Sequence, residues 1–206
     1  MDSEQNNRRQ RSGGFSLLEL LVVIAVLLIL VSMASLGMNQ ILQSVRMERA
    51  GRMILEEIQV ARQFAASRNL SVELRVIEKP RGNAPGGPVF WCLQSGVRDK
   101  ANTGNFTPVS RMAQLPAGVA LAPEPGLSSI IGSLTPLIST HPAYRYIALV
   151  IRPTGALEPV SGLPLNQPWF MTAVPENKLG APLADISDFV TVQIDPWTAQ
   201  PTLYRP

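Results

Sequence analysis

The feature that most constrains the fold of this chain is a long apolar stretch near its N-terminus. Residues 15–38 carry one charged side chain, Glu19, and every residue from Leu20 to Val31 is apolar. A helix over these 24 residues would be about 36 Å long, and the hydrocarbon core of a bilayer is about 30 Å thick. Because a buried soluble helix is seldom apolar on all faces over this length, the stretch predicts a transmembrane helix.

Two ordinary interpretations of this stretch are available. A cleaved secretory signal has an apolar core of about 7–15 residues followed by a small-residue cleavage site. Here the apolar run is longer, and the helical periodicity continues through its end. An ordinary signal anchor would keep the N-terminus in the cytoplasm because of the three arginines within residues 8–11. Three more arginines within residues 46–52 weaken that argument for orientation.

Residues 13–19 read Gly-Gly-Phe-Ser-Leu-Leu-Glu and account for more of the N-terminus than either interpretation. They resemble the processing site of type IV prepilins and type II secretion pseudopilins, in which a short, polar, basic leader ends in glycine. The resemblance implies that a membrane prepilin peptidase cuts between Gly14 and Phe15 and that the new N-terminal phenylalanine is N-methylated. It also implies a role in assembly for Glu19, the fifth residue after the cut.

Physical chemistry leaves two roles open for Glu19. A carboxylate within a membrane helix costs about 2.5–3.5 kcal/mol on insertion scales, so it is a functional candidate by default. Its natural partner would be the amine that cleavage creates on Phe15 of a neighbouring subunit. Alternatively, Glu19 lies one turn inside the span and extends its carboxylate to the membrane interface.

The pattern turns amphipathic after the span, which predicts that the helix continues over residues 39–70. A helix from Phe15 to Arg68 would have 54 residues and a length of roughly 80 Å. Asn69 could close it in a left-handed conformation. The apolar face predicted to lie on a sheet comprises Ile41, Val45, Ile54, Ile58, Ala61 and Ala65, widened by Leu42, Met53 and Phe64.

A change in composition marks the start of a separate body. All 18 prolines and eleven of the 15 glycines lie at or beyond Pro80, so turns and short strands are expected there. Strand-like patterns occur at 71–78, 89–93, 144–151, 189–194 and 202–204, with weaker ones at 119–122 and 169–172. The pairs 71–78/89–93 and 189–194/202–204 are expected to form hairpins, and residues 96–142 to be mostly loop. The fold class is therefore α+β: a pilin-like helix packed on an antiparallel sheet of four to seven strands.

Two further resemblances concern the body. The sequences Ala61-Arg-Gln-Phe-Ala65, Val72-Glu-Leu74 and Trp91, with Arg152-Pro-Thr-Gly155, resemble the pseudopilin subfamily known as GspH or FimT. The C-terminal sequences Ile194-Asp-Pro-Trp-Thr and Leu203-Tyr-Arg-Pro206 resemble those of the prepilin-like D proteins of the Verru_Chthon cassette.

The residues give no support for an enzyme. One cysteine and one histidine exclude an internal disulfide and multi-Cys or multi-His metal sites, and no nucleophile or phosphate-loop motif is present.

We expect His141 to be a loop residue and Cys92 to belong to the core. Asp185 and Asp188 are too few for a calcium site and are expected to cap the strand at Phe189. The tryptophans Trp91, Trp169 and Trp197 are expected to pack in the interior. No cofactor and no metal are expected. A net charge of +3 without a basic patch gives no reason to expect nucleic acid as a partner.

Together these observations predict four segments: a cleaved leader (1–14), a transmembrane part (15–38), an amphipathic part (39–70) and a β-rich extracytoplasmic body (71–206). The expected function is that of a minor pilin or pseudopilin, a processed subunit of a type IV pilus-like or type II secretion-like filament. The alternative is a membrane-anchored extracytoplasmic binding module that does not polymerise. Expected partners are the prepilin peptidase/N-methyltransferase, other pilin-like subunits and the inner membrane. That membrane would be crossed once, with the N-terminus in the cytoplasm and the body in the periplasm or at the cell surface.

Overall fold

The computed structural model describes residues 16–80, 87–98, 106–140 and 143–205. Its two compact units are Met1–Ile41 and Leu42–Pro206. A long helix, α1 (Leu17–Arg68), precedes an antiparallel sheet, so the predicted α+β class is confirmed. No helix within these described ranges combines the length and the apolar character that crossing a membrane requires. The span at 15–38 therefore stays a prediction.

Helix α1 begins and ends as its local sequence dictates. Its first residue follows Ser16, whose hydroxyl accepts a hydrogen bond from the backbone N–H of Glu19 at 3.2 Å. At the other end Asn69 has φ +52°, and the N–H of Leu70 donates to the carbonyl of Ala65 at 3.2 Å. A left-handed residue followed by this six-to-one bond is the Schellman arrangement. The predicted end of the helix is thus confirmed.

The described residues form ten strands joined in one sheet, so the prediction of four to seven strands was too low. In chain order they are β1 (Val72–Glu78), β2 (Phe90–Arg98), β3 (Phe106–Pro108), β4 (Ala113–Gln114), β5 (Val119–Leu121), β6 (Leu137–Thr140), β7 (Ala143–Ile151), β8 (Trp169–Pro175), β9 (Val190–Ile194) and β10 (Pro201–Tyr204). A short helix, α2 (Ser129–Ser133), precedes β6, and 3₁₀ turns occupy Glu176–Lys178 and Leu183–Asp185.

The strand order is β10-β9-β8-β5-β2-β1-β7-β6, and β3 and β4 also pair with β2. Strand β1 lies between β2 and β7, both antiparallel to it. The predicted hairpin of β1 with β2 and the closing hairpin of β9 with β10 are confirmed. Residues 96–142, expected to be mostly loop, contain β3 to β6 and α2 as well as the end of β2, and of these β5 coincides with the weaker strand pattern at 119–122.

The core lies between one face of the sheet and the second half of α1. Buried helix residues at three- and four-residue steps pack with the inward-facing residues of β1 and β7, since alternate strand residues share a face. The helix contributes Met47, Ala50, Ile54, Ile58, Ala61 and Ala65. The last four were predicted, whereas the assignment of Ile41 and Val45 to this face was wrong, because both are exposed. Two small residues, Ala50 and Gly51, lie between Val45 and Ile54, the widest step between residues of the predicted apolar face.

The opposite face of the central strands buries a charged pair rather than exposing it. The Arg75 guanidinium lies 3.6 Å from the ring centroid of Phe106 and 4.1 Å from that of Tyr146. Its Nε donates to Glu73 at 2.7 Å, and one terminal nitrogen donates to the Tyr144 hydroxyl at 3.0 Å. Burial by itself would lower the pKa of Arg75, but the hydrogen bonds to Glu73 and Tyr144 outweigh it and raise that pKa.

Candidate functional site: the N-terminal motif

The residues predicted to be cut and methylated, Gly14 and Phe15, lie outside the described residues. Ser16 is the first described residue, and it directly precedes the helix. The structure therefore describes the predicted site from Ser16 onward.

Glu19 lies in the first turn of α1, where its side chain is exposed. Ser16 is the N-cap, and Glu19 is the third helical residue, so Ser-Leu-Leu-Glu has the spacing of a capping box. The bond from the Glu19 N–H to the Ser16 hydroxyl is one of the two such a box contains. A carboxylate here is also favoured by the partial positive charge of the helix N-terminus. The same short sequence thus starts the helix and places an exposed acid at its beginning.

Apolar side chains follow Glu19 on all sides of the helix. The large apolar residues described between Leu20 and Val31 are 48–66% exposed. The one hydroxyl that follows directly, on Ser32, donates to the carbonyl of Leu28 at 2.7 Å. Its O–H donor is thus satisfied within the helix.

The sequence predictions for the body's polar residues have mixed outcomes. Cys92 is buried, and burial, together with the nearby Glu57 carboxylate, raises the pKa of its thiol from 9.0 to about 11, so its assignment to the core is confirmed. Asp188 pairs with Arg205 at 3.3 Å, and Asp185 ends a 3₁₀ turn. No group of three or more His, Cys, Asp or Glu side chains able to hold a metal occurs in the described part of the chain. His141 lies outside that part.

The three tryptophans do not share one environment. Trp169 is 1% exposed and donates its indole N–H to the carbonyl of Pro164 at 3.0 Å, as the interior assignment predicts. Trp91 is partly buried. Trp197 is 63% exposed, so its assignment to the interior was wrong. It lies in the turn between β9 and β10.

Sequence reasoning missed the buried carboxylate of Glu57. It lies on the inner face of α1 and is 7% exposed. The Ser95 hydroxyl donates to its Oε1 at 2.6 Å, and the Ser110 hydroxyl donates to the same oxygen. The signal was available, because Glu57 is three residues after Ile54 and four before Ala61, and therefore on their face.

The comparison with protein families identifies the N-terminal segment. Residues 9–35 match the family model of the prokaryotic N-terminal methylation motif. This range contains the predicted cleavage residues and Glu19. No curated protein and no solved structure matches the chain. A motif of this kind implies processing by a prepilin peptidase and membership of a group of membrane-anchored precursors. The match thus supports a type IV prepilin-like N-terminus for this chain.

Proposed function

We propose that the chain is a minor pilin or pseudopilin, a processed subunit of a type IV pilus-like or type II secretion-like filament. The observation that carries the proposal is the methylation motif over residues 9–35. Within it, cleavage after Gly14 would free the amine of Phe15 for methylation. The proposal gives the body no catalytic role and needs no cofactor. The body's resemblance to the GspH or FimT subfamily and to the Verru_Chthon D proteins is consistent with this role.

The proposed location is the inner membrane, crossed once by residues 15–38. The exposure of the apolar side chains from Leu20 to Val31 supports it, because apolar surface of this extent is stable in lipid rather than in water. The arginines of the leader would remain on the cytoplasmic side. The body would then lie in the periplasm or at the cell surface.

In this proposal Glu19 pairs with the amine of Phe15 on the neighbouring subunit. The carboxylate is exposed in the first turn, which leaves it accessible to a second molecule. In hydrocarbon an unpaired charge would cost several kcal/mol, so pairing would favour ordered assembly over random contact. Partners would be the prepilin peptidase and other pilin-like subunits.

Cleavage is tested by intact mass spectrometry of the protein extracted from membranes of a host with an active prepilin peptidase. We expect a chain that begins at Phe15 and carries one additional methyl group.

The variant Gly14→Val should block the cut, because a β-branched side chain crowds the scissile bond. The same exchange at Gly37, downstream of the cut, should leave processing intact. A wild-type chain that still begins at Met1 would contradict the proposal.

Assembly is tested by crosslinking to partner pilins, with cleavage followed in parallel. Glu19→Ala should be cleaved and inserted normally, because loss of a charge makes insertion less costly. It should fail to crosslink, because the incoming amine would have no partner. Glu56→Ala removes an exposed glutamate farther along α1 and serves as the matched control.

The same crosslinking experiment separates the proposal from the alternative of an anchored module that does not polymerise. Normal cleavage with no crosslinks in the wild type would favour the alternative. Crosslinking that Glu19→Ala leaves unchanged would instead assign Glu19 to the membrane interface, with its carboxylate extended toward water.

A further inference from the structure

We infer that the body binds a neutral oligosaccharide in a groove beside the β9–β10 hairpin. The groove has a volume of about 530 Å³ and lies between this hairpin and the loop that precedes β8. We call it the Trp197 groove and define it by Trp197, Tyr204, Asn166, Gln167, Gln193 and Asp195. The inference does not depend on the filament role.

Two exposed aromatic side chains distinguish this groove. Trp197 is 63% and Tyr204 is 52% exposed, whereas the nearby Trp169 is 1% exposed. Large aromatic rings left in water at one place are typical of binding surfaces, because they bury much area with few rotatable bonds. The C–H face of a pyranose ring is apolar and flat, and it stacks on such rings.

The polar side chains of the groove suit hydroxyl groups. In the described part of the chain, the side-chain amides of Asn166, Gln167 and Gln193 have no hydrogen-bond partner. An amide both donates and accepts, as does each hydroxyl of a sugar. Asp195 accepts the backbone N–H of Trp197 at 2.8 Å, which holds the turn that carries the indole.

The charge of the groove selects against acidic ligands. Its lining contains one carboxylate and neither lysine nor arginine. Beside the lining, Arg205 is paired with the Asp188 carboxylate, and Arg62 donates a long hydrogen bond of 3.5 Å to the Gln200 side chain. Phosphorylated, sulfated or uronic ligands would thus meet a carboxylate and no cation among the lining residues, and neutral hexose or N-acetylhexosamine chains fit that chemistry.

Calorimetric titration of the full chain tests the inference, with maltohexaose, cellohexaose and chitohexaose as probes. The protein is held in an amine-oxide detergent, because sugar-headed detergents would compete for the groove. We expect at least one probe to bind with a Kd of about 0.1–1 mM, the range of a few stacking and hydrogen-bond contacts. A sulfated heparin hexasaccharide should bind at least tenfold more weakly than that probe.

Variants locate the binding. Trp197→Ala should weaken it tenfold or more, and Trp197→Phe should restore most of the affinity by keeping an aromatic face. Ile138→Ala, at a 73% exposed residue on the opposite edge strand β6, should leave it unchanged. Unchanged thermal melting of each variant shows that its fold is intact. The inference is overturned if no neutral probe binds below about 10 mM, if the sulfated probe binds more tightly, or if Trp197→Ala binds as the wild type does.

Discussion

At the scale of single residues, the buried carboxylate of Glu57 links helix α1 to strand β2 of the sheet. It is almost fully enclosed, and two serine hydroxyls donate to one of its oxygens. The Ser110 hydroxyl also accepts the backbone N–H of Ser95 at 2.9 Å, so one side chain links the acid to strand β2. Burying a carboxylate is costly unless its oxygens find donors, and these contacts offset that cost.

Removal of one donor should therefore destabilise the body. Ser110→Ala should lower the free energy of unfolding by about 1.5–3 kcal/mol, the range for a hydrogen bond to a charged group. Urea unfolding measures this as a lower midpoint at an unchanged slope. Ser161→Ala changes an exposed serine and should leave the midpoint where it is. Equal midpoints for the two variants would show that the contact between Ser110 and Glu57 contributes nothing to stability.

Sequence patterns predicted several residue environments and missed others for identifiable reasons. The pattern over residues 71–78 predicted strand β1, whose Val72, Leu74 and Val76 are buried on one face, but it gave no sign that Glu73 and Arg75 would be buried as well. The structure buries both, because Phe106 and Tyr146 cover the guanidinium. Phe106 belongs to β3, whose pairing with β2 is a long-range contact that periodicity cannot reveal.

At the scale of elements, the approach of α1 to the sheet requires a glycine at position 51. A Cβ added there would lie 2.6 Å from Cδ1 of Leu203 and 2.8 Å from Cγ2 of Val190. Both distances are below ordinary van der Waals contact. The helix therefore crosses β9 and β10 at a point where it has no side chain.

Gly51→Ala should test this close approach. Alanine favours the helix by about 0.5–1 kcal/mol over glycine, but overpacking costs about 1–3 kcal/mol. We expect a net loss of about 1 kcal/mol in chemical unfolding. Leu203→Ala removes the nearer contact, so the double variant should be more stable than the sum of the two single effects predicts, by about 1 kcal/mol. Simple additivity would mean that Leu203 does not limit the approach.

The elements themselves were predictable where their signals are local. The end of α1 at Asn69 and both hairpins follow from neighbouring residues, and so does the processing motif around Gly14, a short continuous sequence. Strands β3 and β4 have three and two residues, too few for a period to appear. The Trp197 groove was not predictable, because its two sides are separated in sequence and meet only when β8 pairs with β9.

At the scale of the whole molecule, the two compact units differ in the exposure of their apolar side chains. In Met1–Ile41 the large apolar residues described from Leu17 to Val31 are 48–88% exposed. In Leu42–Pro206 the buried residues that are described begin at Met47 and form a core of helix and sheet. In the second unit the C-terminal end also contacts the first residues of the helix, because Arg205 donates to the Ser44 hydroxyl and lies 3.9 Å from Glu48.

A fragment of residues 42–206 should therefore fold and remain soluble without the first 41 residues. The cut removes none of the described core residues, and it removes the apolar surface that would cause association in water. Circular dichroism should show mixed helix and strand, and thermal unfolding should be cooperative, as expected for one core.

A shorter fragment, 52–206, serves as the matched control. It lacks Met47, Ala50 and both α1 partners of Arg205, and it should melt at a markedly lower temperature or precipitate. An insoluble 42–206 fragment would mean that the helix before residue 42 is needed to complete the body. Equal melting of the two fragments would instead mean that the first turns of the retained helix add nothing to the core.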